Sequence, residues 1–259
     1  MTAILLDVDG VLYVSGEPVA GAADAVRALR GAGHRLRFVT NNTTRARRRL
    51  AGELRAMGVE LDDDELQTTP AAAARELRGR RVLALTMAAI RDDLAGVELV
   101  GEDAEVVLLG GADETDETGS VFSYENLSRA FAELERGAEL YCLHRNRWWQ
   151  TTRGPLLDAG AFVAGLEYAA QTNATVLGKP SSAYFAAALA ALDAEPPGAV
   201  MVGDDIENDV GGAQAHGLRG VLVRTGKFRP GAVESSGIRP DANLSSIAAL
   251  PDWLQEQAV

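Results

Sequence analysis

The amino-acid sequence predicts an α/β protein with a doubly wound parallel-sheet core and an inserted, smaller α/β domain. Three observations lead there. Short apolar runs alternate with longer amphipathic, Ala-rich stretches, the pattern of βα units around a parallel sheet. Four of the apolar runs stop at a cluster of polar or charged residues. In the middle of the chain a second, smaller set of strands and helices follows the same alternation.

Ala3 to Val8 reads as a first strand, Ala22 to Arg30 as a helix closed by Gly31 and Gly33, and Leu36 to Val39 as a second strand. Thr44 to Met57 reads as a helix ended by Gly58. In the middle set, Val82–Leu85, Val106–Leu109 and Glu139–Leu143 read as strands, and Tyr124–Arg136 and Leu156–Ala169 as helices. Acidic loops lie at Gly101–Glu105 and Asp113–Glu117. Further on, Thr175–Leu177, Ala199–Val202 and Gly220–Val223 read as strands of the first sheet. Helices are expected over Ala183–Leu192, Asp205–His216 and Ser245–Gln255. The inserted domain is therefore expected over 80–170, with 1–79 and 171–259 forming the core.

Composition narrows the function. Of 259 residues 47% are apolar and 24% charged, as in a soluble globular chain. A net charge of −12 and a pI near 4.8 argue against nucleic acid or an anionic membrane as partner. Arg45, Arg47, Arg48 and Arg49 are the local exception and read as a solvated helix face. With Cys142 as the only cysteine, no intrachain disulfide is possible. The first apolar run meets Asp7 too soon for a signal peptide, and no stretch reaches the roughly 18 apolar residues of a membrane span. A cytoplasmic protein is expected, and a homodimer is left open.

The four polar clusters share one chemistry. Asp7-Val8-Asp9-Gly10 follows the first strand, where open α/β sheets bind ligands. Two carboxylates two residues apart can divide labour, one attacking and one moving a proton. An acidic turn is the plain alternative. A calcium loop fails, because Leu12 and Pro18 occupy the positions that need glycine and glutamate. Thr40-Asn41-Asn42-Thr43-Thr44 offers donors for phosphate oxygens, or N-caps for the next helix. Gly178-Lys179-Pro180 holds an ammonium at a strand-to-helix corner, with Pro180 suited to the first helical turn. Gly203-Asp204-Asp205-Ile206-Glu207-Asn208-Asp209 offers oxygen ligands for a hard cation, or acids that suit a helix start.

Charge explains why these residue types belong together. At ~4 Å and an effective dielectric of ~20, each pair of like unit charges costs roughly 4 kcal/mol, so a carboxylate approaching a phosphate dianion faces roughly 8. A divalent cation and a lysine would offset that repulsion.

The segments DVDGVLY, TNN, GKP and GDDIENDV together resemble the four motifs of the haloacid dehalogenase superfamily. The resemblance implies a magnesium-dependent phosphatase acting on a small phosphorylated compound through a phospho-aspartate. Asp7 would be the nucleophile, Asp9 the general acid and base, and Lys179 the charge stabiliser. Thr40, Asn41 and Lys179 would bind the phosphoryl group. Mg²⁺ would be held by Asp7, the Asp9 backbone carbonyl and Asp204, with Asp209 in support. The paired Asp is similar to the phosphatase branch rather than the dehalogenases. Thr40 follows Asp7 too closely for an inserted domain, whereas the stretch from Asn41 to Lys179 is long enough. That spacing resembles the subfamily IIA, C2-capped branch. FSYENLSRAF, GPLLDAGAFVAGLEYA and VRTGKFRP are similar to one group within it.

In the expected cap, His144-Arg145-Asn146-Arg147-Trp148-Trp149 gathers cations and aromatics in an acidic protein. Arg147 and Trp148 are candidate substrate contacts, through ion pairing and stacking. Packing within the cap or a dimer interface is the other reading. His34, His144 and His216 lack metal-like spacing and receive no role. Two further readings stay open: a phosphate-binding or regulatory module without turnover, and a phosphomutase.

Overall fold

In the computed structural model, which describes residues 1–113, 115–151 and 154–257, the chain alternates strands and helices from end to end. Strand β1 (Ala3–Asp7) leads into a short antiparallel pair, β2 (Tyr13–Val14) and β3 (Glu17–Pro18), before β4 (Arg35–Thr40) and β5 (Leu66–Thr68). The middle of the chain supplies β6 (Arg81–Leu85), β7 (Glu98–Leu99), β8 (Val106–Leu109), β9 (Glu139–Cys142), β10 (Trp148–Thr151), β11 (Gly154–Leu157) and β12 (Thr175–Val176). Strands β13 (Ala199–Gly203), β14 (Arg219–Val223) and β15 (Ala242–Leu244) follow.

Two compact units result. The first comprises Met1–Thr40, Arg48–Gln67 and the chain from Lys179 onward; the second comprises Asn41–Arg47 and Thr68–Gly178. The second unit thus takes in more chain than the expected span 80–170, for two reasons. The helix Thr69–Glu76 and its C-cap contribute Ala73 and Leu77 to the same apolar cluster as Val82, Ile90 and Val106. Strand β12 pairs with β9 at Thr175↔Tyr141. This corrects the expectation that Thr175–Leu177 joins the first sheet.

The first unit holds a six-stranded sheet ordered β15-β14-β13-β1-β4-β5. The ladders from β15 through β4 are parallel. Strands β1 (AILLD) and β13 (AVMVG) are buried throughout, as expected of a parallel strand covered on both faces. Chain order runs outward in both directions from the β1–β13 pair, so the topological switch point lies between these strands. Ligands of open α/β sheets bind beyond the carboxyl ends at such a point. Helix Ala22–Gly31 buries Ala22, Ala25, Val26 and Leu29 on one face and carries Asp24 in its first turn, where the helix dipole favours it.

Several expected helices differ in detail. Asp205–His216 becomes a π turn over Ile206–Gly211 followed by a short helix, Gly212–Ala215. The Asp205 side chain caps the turn by accepting from the N–H groups of Glu207 and Asn208, and the Val210 N–H reaches the Asp205 carbonyl five residues back. Pro180 lies one residue ahead of Ser181, the N-cap of helix Ser182–Ala190, rather than inside its first turn.

The second unit holds a five-stranded sheet, β12-β9-β8-β6-β7, with every pair parallel. Helix Tyr124–Glu135 starts at Ser123, whose hydroxyl accepts the Asn126 N–H at 3.2 Å. Glu133, 1% exposed, accepts the N–H groups of Asp103 and Ala104 at 3.0 and 3.1 Å and so ties down the acidic loop Gly101–Glu105. In the second acidic loop, Glu114 lies outside the described residues. Helix Ala159–Ala170 starts three residues later than expected, because Leu156 and Leu157 pair with Trp149 and Trp148 as strand β11. Phe162 on this helix stacks on Phe122 with centroids 4.2 Å apart. Among the described residues no helix is long and apolar enough to cross a membrane.

Phe38 on β4 is fully buried in the apolar cluster of the first unit. Phe38→Ala is expected to destabilise the protein by about 3–5 kcal/mol, as measured by urea unfolding.

Candidate active site

Asp7 is the last residue of β1, and Asp204 follows the last residue of the neighbouring β13. Both carboxylates therefore stand at the carboxyl edge of the sheet, at the switch point. The π turn after Asp205 carries Asp209 back to the same place. One carboxylate oxygen from each of Asp7, Asp204 and Asp209 lies within 4.8 Å of the others, and all three residues are buried.

Lys179 begins the return of the chain to the first unit. Its buried Nζ is 2.7 Å from Asp7 Oδ1 and 2.7 Å from Asp209 Oδ1. The second Asp209 oxygen accepts the Asp205 N–H at 3.1 Å. Asp209 is thus committed to Lys179 and to its own turn. Asp204 Oδ2 accepts the Lys227 N–H at 2.6 Å. The Lys227 ammonium lies 3.7 Å from Asp205.

Three carboxylates around one central ammonium leave the site short of positive charge, and the titration behaviour reflects it. Burial, then the charges of Asp7 and Asp209, pushes Asp204 up to about 8. Burial and Asp7 push Asp209 up to about 7 against the pull of Lys179. Asp7 is raised, chiefly by burial, with Lys179 opposing. Burial alone would lower the Lys179 ammonium, but Asp209 and Asp7 beside it raise it. A hard divalent cation fits this donor set: an all-oxygen cluster, buried, with surplus negative charge.

Asp9 is held apart from that cluster. The Tyr13 hydroxyl donates to Asp9 Oδ1 at 2.5 Å, and the Thr40 hydroxyl donates to Oδ2 at 3.3 Å. Gly10, at φ +86°, turns the chain away; a Cβ there would lie 1.9 Å from Asp204 Oδ2. Thr40 ends β4 beside Asp7 through the pair Asp7↔Val39. The Tyr184 hydroxyl accepts the Thr40 N–H at 3.0 Å and reaches the carbonyls of Thr40 and Gln67 at 3.0 and 2.8 Å. The Gln67 amide returns a bond to the Tyr184 carbonyl at 2.9 Å.

The first unit therefore brings together Asp7, Asp9, Thr40, Lys179, Asp204 and Asp209. Asn41 falls in the second unit, packed against Gly178. Arg147 and Trp148 also belong there, at the start of the β10–β11 hairpin; Arg147 is exposed and Trp148 is 50% exposed. Sequence reasoning missed Tyr13, Tyr184 and Lys227 as supports. Tyr13 lay inside the quoted DVDGVLY, and Lys227 inside VRTGKFRP. Tyr184 sits in an Ala-rich helix whose pattern marks it only as apolar.

Known proteins resemble this chain in sequence and fold. Residues 4–100 match a family model described as haloacid dehalogenase-like hydrolase, and residues 176–250 match one described as HAD-hydrolase-like. The chain is 40% identical to the phospholysine phosphohistidine inorganic pyrophosphate phosphatase of Xenopus laevis over 97% of this chain and 94% of that protein. Among solved structures, the p-nitrophenyl phosphatase from Archaeoglobus fulgidus superposes with a TM-score of 0.89 at 28% identity, covering 97% of this chain and 98% of that one. A glycerol phosphate phosphatase from Mycobacterium tuberculosis in complex with magnesium superposes with a TM-score of 0.82 at 28% identity, over 96% of this chain and 76% of that one.

Two outcomes follow from the site. With Asp204 and Asp209 raised above the ordinary carboxylate value of 3.8, the folded chain without divalent cation holds protons that the unfolded chain has released. Their stabilising contribution is full at low pH and lost as pH rises through the raised values. In chelator, the melting temperature is expected to fall between roughly pH 4 and pH 8, with a flatter slope for Asp204→Asn, as read by calorimetry. Tyr184→Phe removes the acceptor of the Thr40 N–H; a loss of about 1–3 kcal/mol in chemical denaturation is expected.

Proposed function

This chain belongs to the haloacid dehalogenase-like hydrolase family, and we propose that it is a magnesium-dependent phosphatase that hydrolyses a small phosphorylated compound through a phospho-aspartate on Asp7. The observation that carries this reading is the buried cluster of Asp7, Asp204 and Asp209 around Lys179, at the switch point of the sheet.

Asp7, Asp204 and the main-chain carbonyl of Asp9 would hold Mg²⁺, which when bound supplies positive charge to offset the phosphoryl oxygens. Lys179 favours the ionised form of Asp7 and orients it through Oδ1, leaving Oδ2 to attack phosphorus. The P–O bond to the leaving group breaks as the Asp7–phosphorus bond forms, and Asp9 delivers a proton to the departing oxygen. Asp9, now a carboxylate, takes a proton from water; that water oxygen attacks phosphorus and releases Asp7 and inorganic phosphate. The two bonds that hold Asp9, from Tyr13 and Thr40, set where it starts. Thr40 would also bind a phosphoryl oxygen, and Asn41 is the next candidate along the chain. Lys179 contributes its charge to the same group. Arg147 and Trp148 are the candidates for contact with the rest of the substrate. The Xenopus relative's name directs a substrate screen to pyrophosphate and to phosphoramidates on lysine and histidine.

Purified protein is expected to hydrolyse p-nitrophenyl phosphate with Mg²⁺ and to stop in chelator. Asp7→Asn should reduce turnover to background. Asp9→Asn should lower kcat by roughly 10²- to 10⁴-fold, more for alkyl than for nitrophenyl leaving groups, since the poorer leaving group depends more on the proton. Full activity in chelator, or turnover by Asp7→Asn, would refute the reading.

A further inference from the structure

We propose that the loop Thr225–Lys227, directly beyond β14, is a positioning element for the cation site, and that the Thr225 hydroxyl sets the affinity of that site for a divalent metal. The inference rests on the metal-dependent reading above.

Three consecutive residues of this loop touch both halves of the site. The Thr225 hydroxyl donates to the main-chain carbonyl of Gly10. The Lys227 N–H donates to Asp204 Oδ2 at 2.6 Å. Between them Gly226, at φ +59°, lies so close that a Cβ would meet Asp204 Oδ2 at 2.0 Å and Gly10 Cα at 2.5 Å. The Asp204 carboxylate is thereby wedged between the backbones of Gly10 and Gly226, with one oxygen fixed by a main-chain donor.

Gly10 is the residue after Asp9, whose carbonyl is a proposed ligand. Its own N–H donates to the Tyr13 carbonyl at 2.7 Å, and Thr225 holds its carbonyl. The Gly10 peptide groups are therefore bonded on both sides, and the Asp9 carbonyl has little freedom to rotate. A carboxylate from β13 and a carbonyl from the loop after β1 can serve one ion only if their separation is fixed, and the Thr225–Lys227 loop is the covalent unit bonded to both. Partners that orient ligands in this way typically alter metal affinity by about 10- to 100-fold when removed. No proton or bond change in the proposed reaction passes through Thr225, so its part is positional.

Isothermal titration calorimetry with MgCl₂, without substrate, tests the proposal. Thr225→Val keeps the side-chain shape and removes the donor; Thr225→Ser keeps the donor. Mg²⁺ affinity is expected to fall by about tenfold or more in Thr225→Val and to stay close to wild type in Thr225→Ser, with both variants folded at the temperature of the titration. At saturating Mg²⁺, the KM of Thr225→Val for p-nitrophenyl phosphate is expected to match wild type. If Thr225→Val does not fold, Thr225→Ala carries the same comparison. Wild-type protein that binds no Mg²⁺ overturns the metal-dependent reading itself. Wild-type protein that binds Mg²⁺ while Thr225→Val binds equally well overturns this inference alone, as does equal weakening in Thr225→Val and Thr225→Ser.

Discussion

The placement of one ammonium governs the first unit's chemistry. Lys179 Nζ sits between Asp7 and Asp209 at 2.7 Å from each, with all three side chains buried. At an effective dielectric of ~20 each contact is an attraction of roughly 6 kcal/mol before desolvation is charged against it. Much of that gain is cancelled by stripping water from three ions, so the cluster adds little net stability. Its value lies in geometry. The lysine can be satisfied only if β1, the corner before helix Ser182–Ala190 and the π turn after Asp205 meet at one spot. Three segments far apart in sequence are thereby brought into register on a single side chain.

The same cluster explains why a cation belongs there. Removing Lys179 would leave buried carboxylates facing each other, and even with it the acids outnumber the ammonium groups that touch them. Protons fill the gap in the absence of metal, which is what the raised Asp204 and Asp209 express. A divalent ion would compete for those oxygens with the protons. The π turn contributes here: by bringing Asp209 to Lys179, it lets Lys179 hold both Asp7 and Asp209 while Asp204 stays turned toward Gly10 and Lys227. The widened turn is a local irregularity of the kind often found at functional sites.

Much of this was legible in the sequence because the relevant signals are local. Each of Asp7, Thr40 and Asp204 lies at the end of an apolar run long enough to be a buried strand, and alternation alone places such ends on one edge of a parallel sheet. The failures have equally physical causes. Strand β12 is only two residues, and nothing local says which sheet it joins; its pairing with β9 decides that. Leu156 and Leu157 carry a helical period continuous with Ala159–Ala170, yet cross-strand pairing with Trp149 and Trp148 claims them. Tyr184 and Thr225 were invisible as site supports because their partners, Thr40 and Gly10, lie 144 and 215 residues away. Hydrogen bonds of that range leave no periodic trace.

Cys142, the chain's only cysteine, closes strand β9 in the apolar interior of the second unit. Burial pushes its thiol up to about 12, so almost no thiolate exists at neutral pH. Thiol-directed alkylating reagents therefore have no ready target on the native protein. The molecule comes with a silent background for site-directed labelling. A cysteine introduced at an outward-facing position such as Tyr168, 89% exposed on its helix, would be the one readily reactive thiol, and a fluorophore attached there would report on the second unit without removal of the native thiol.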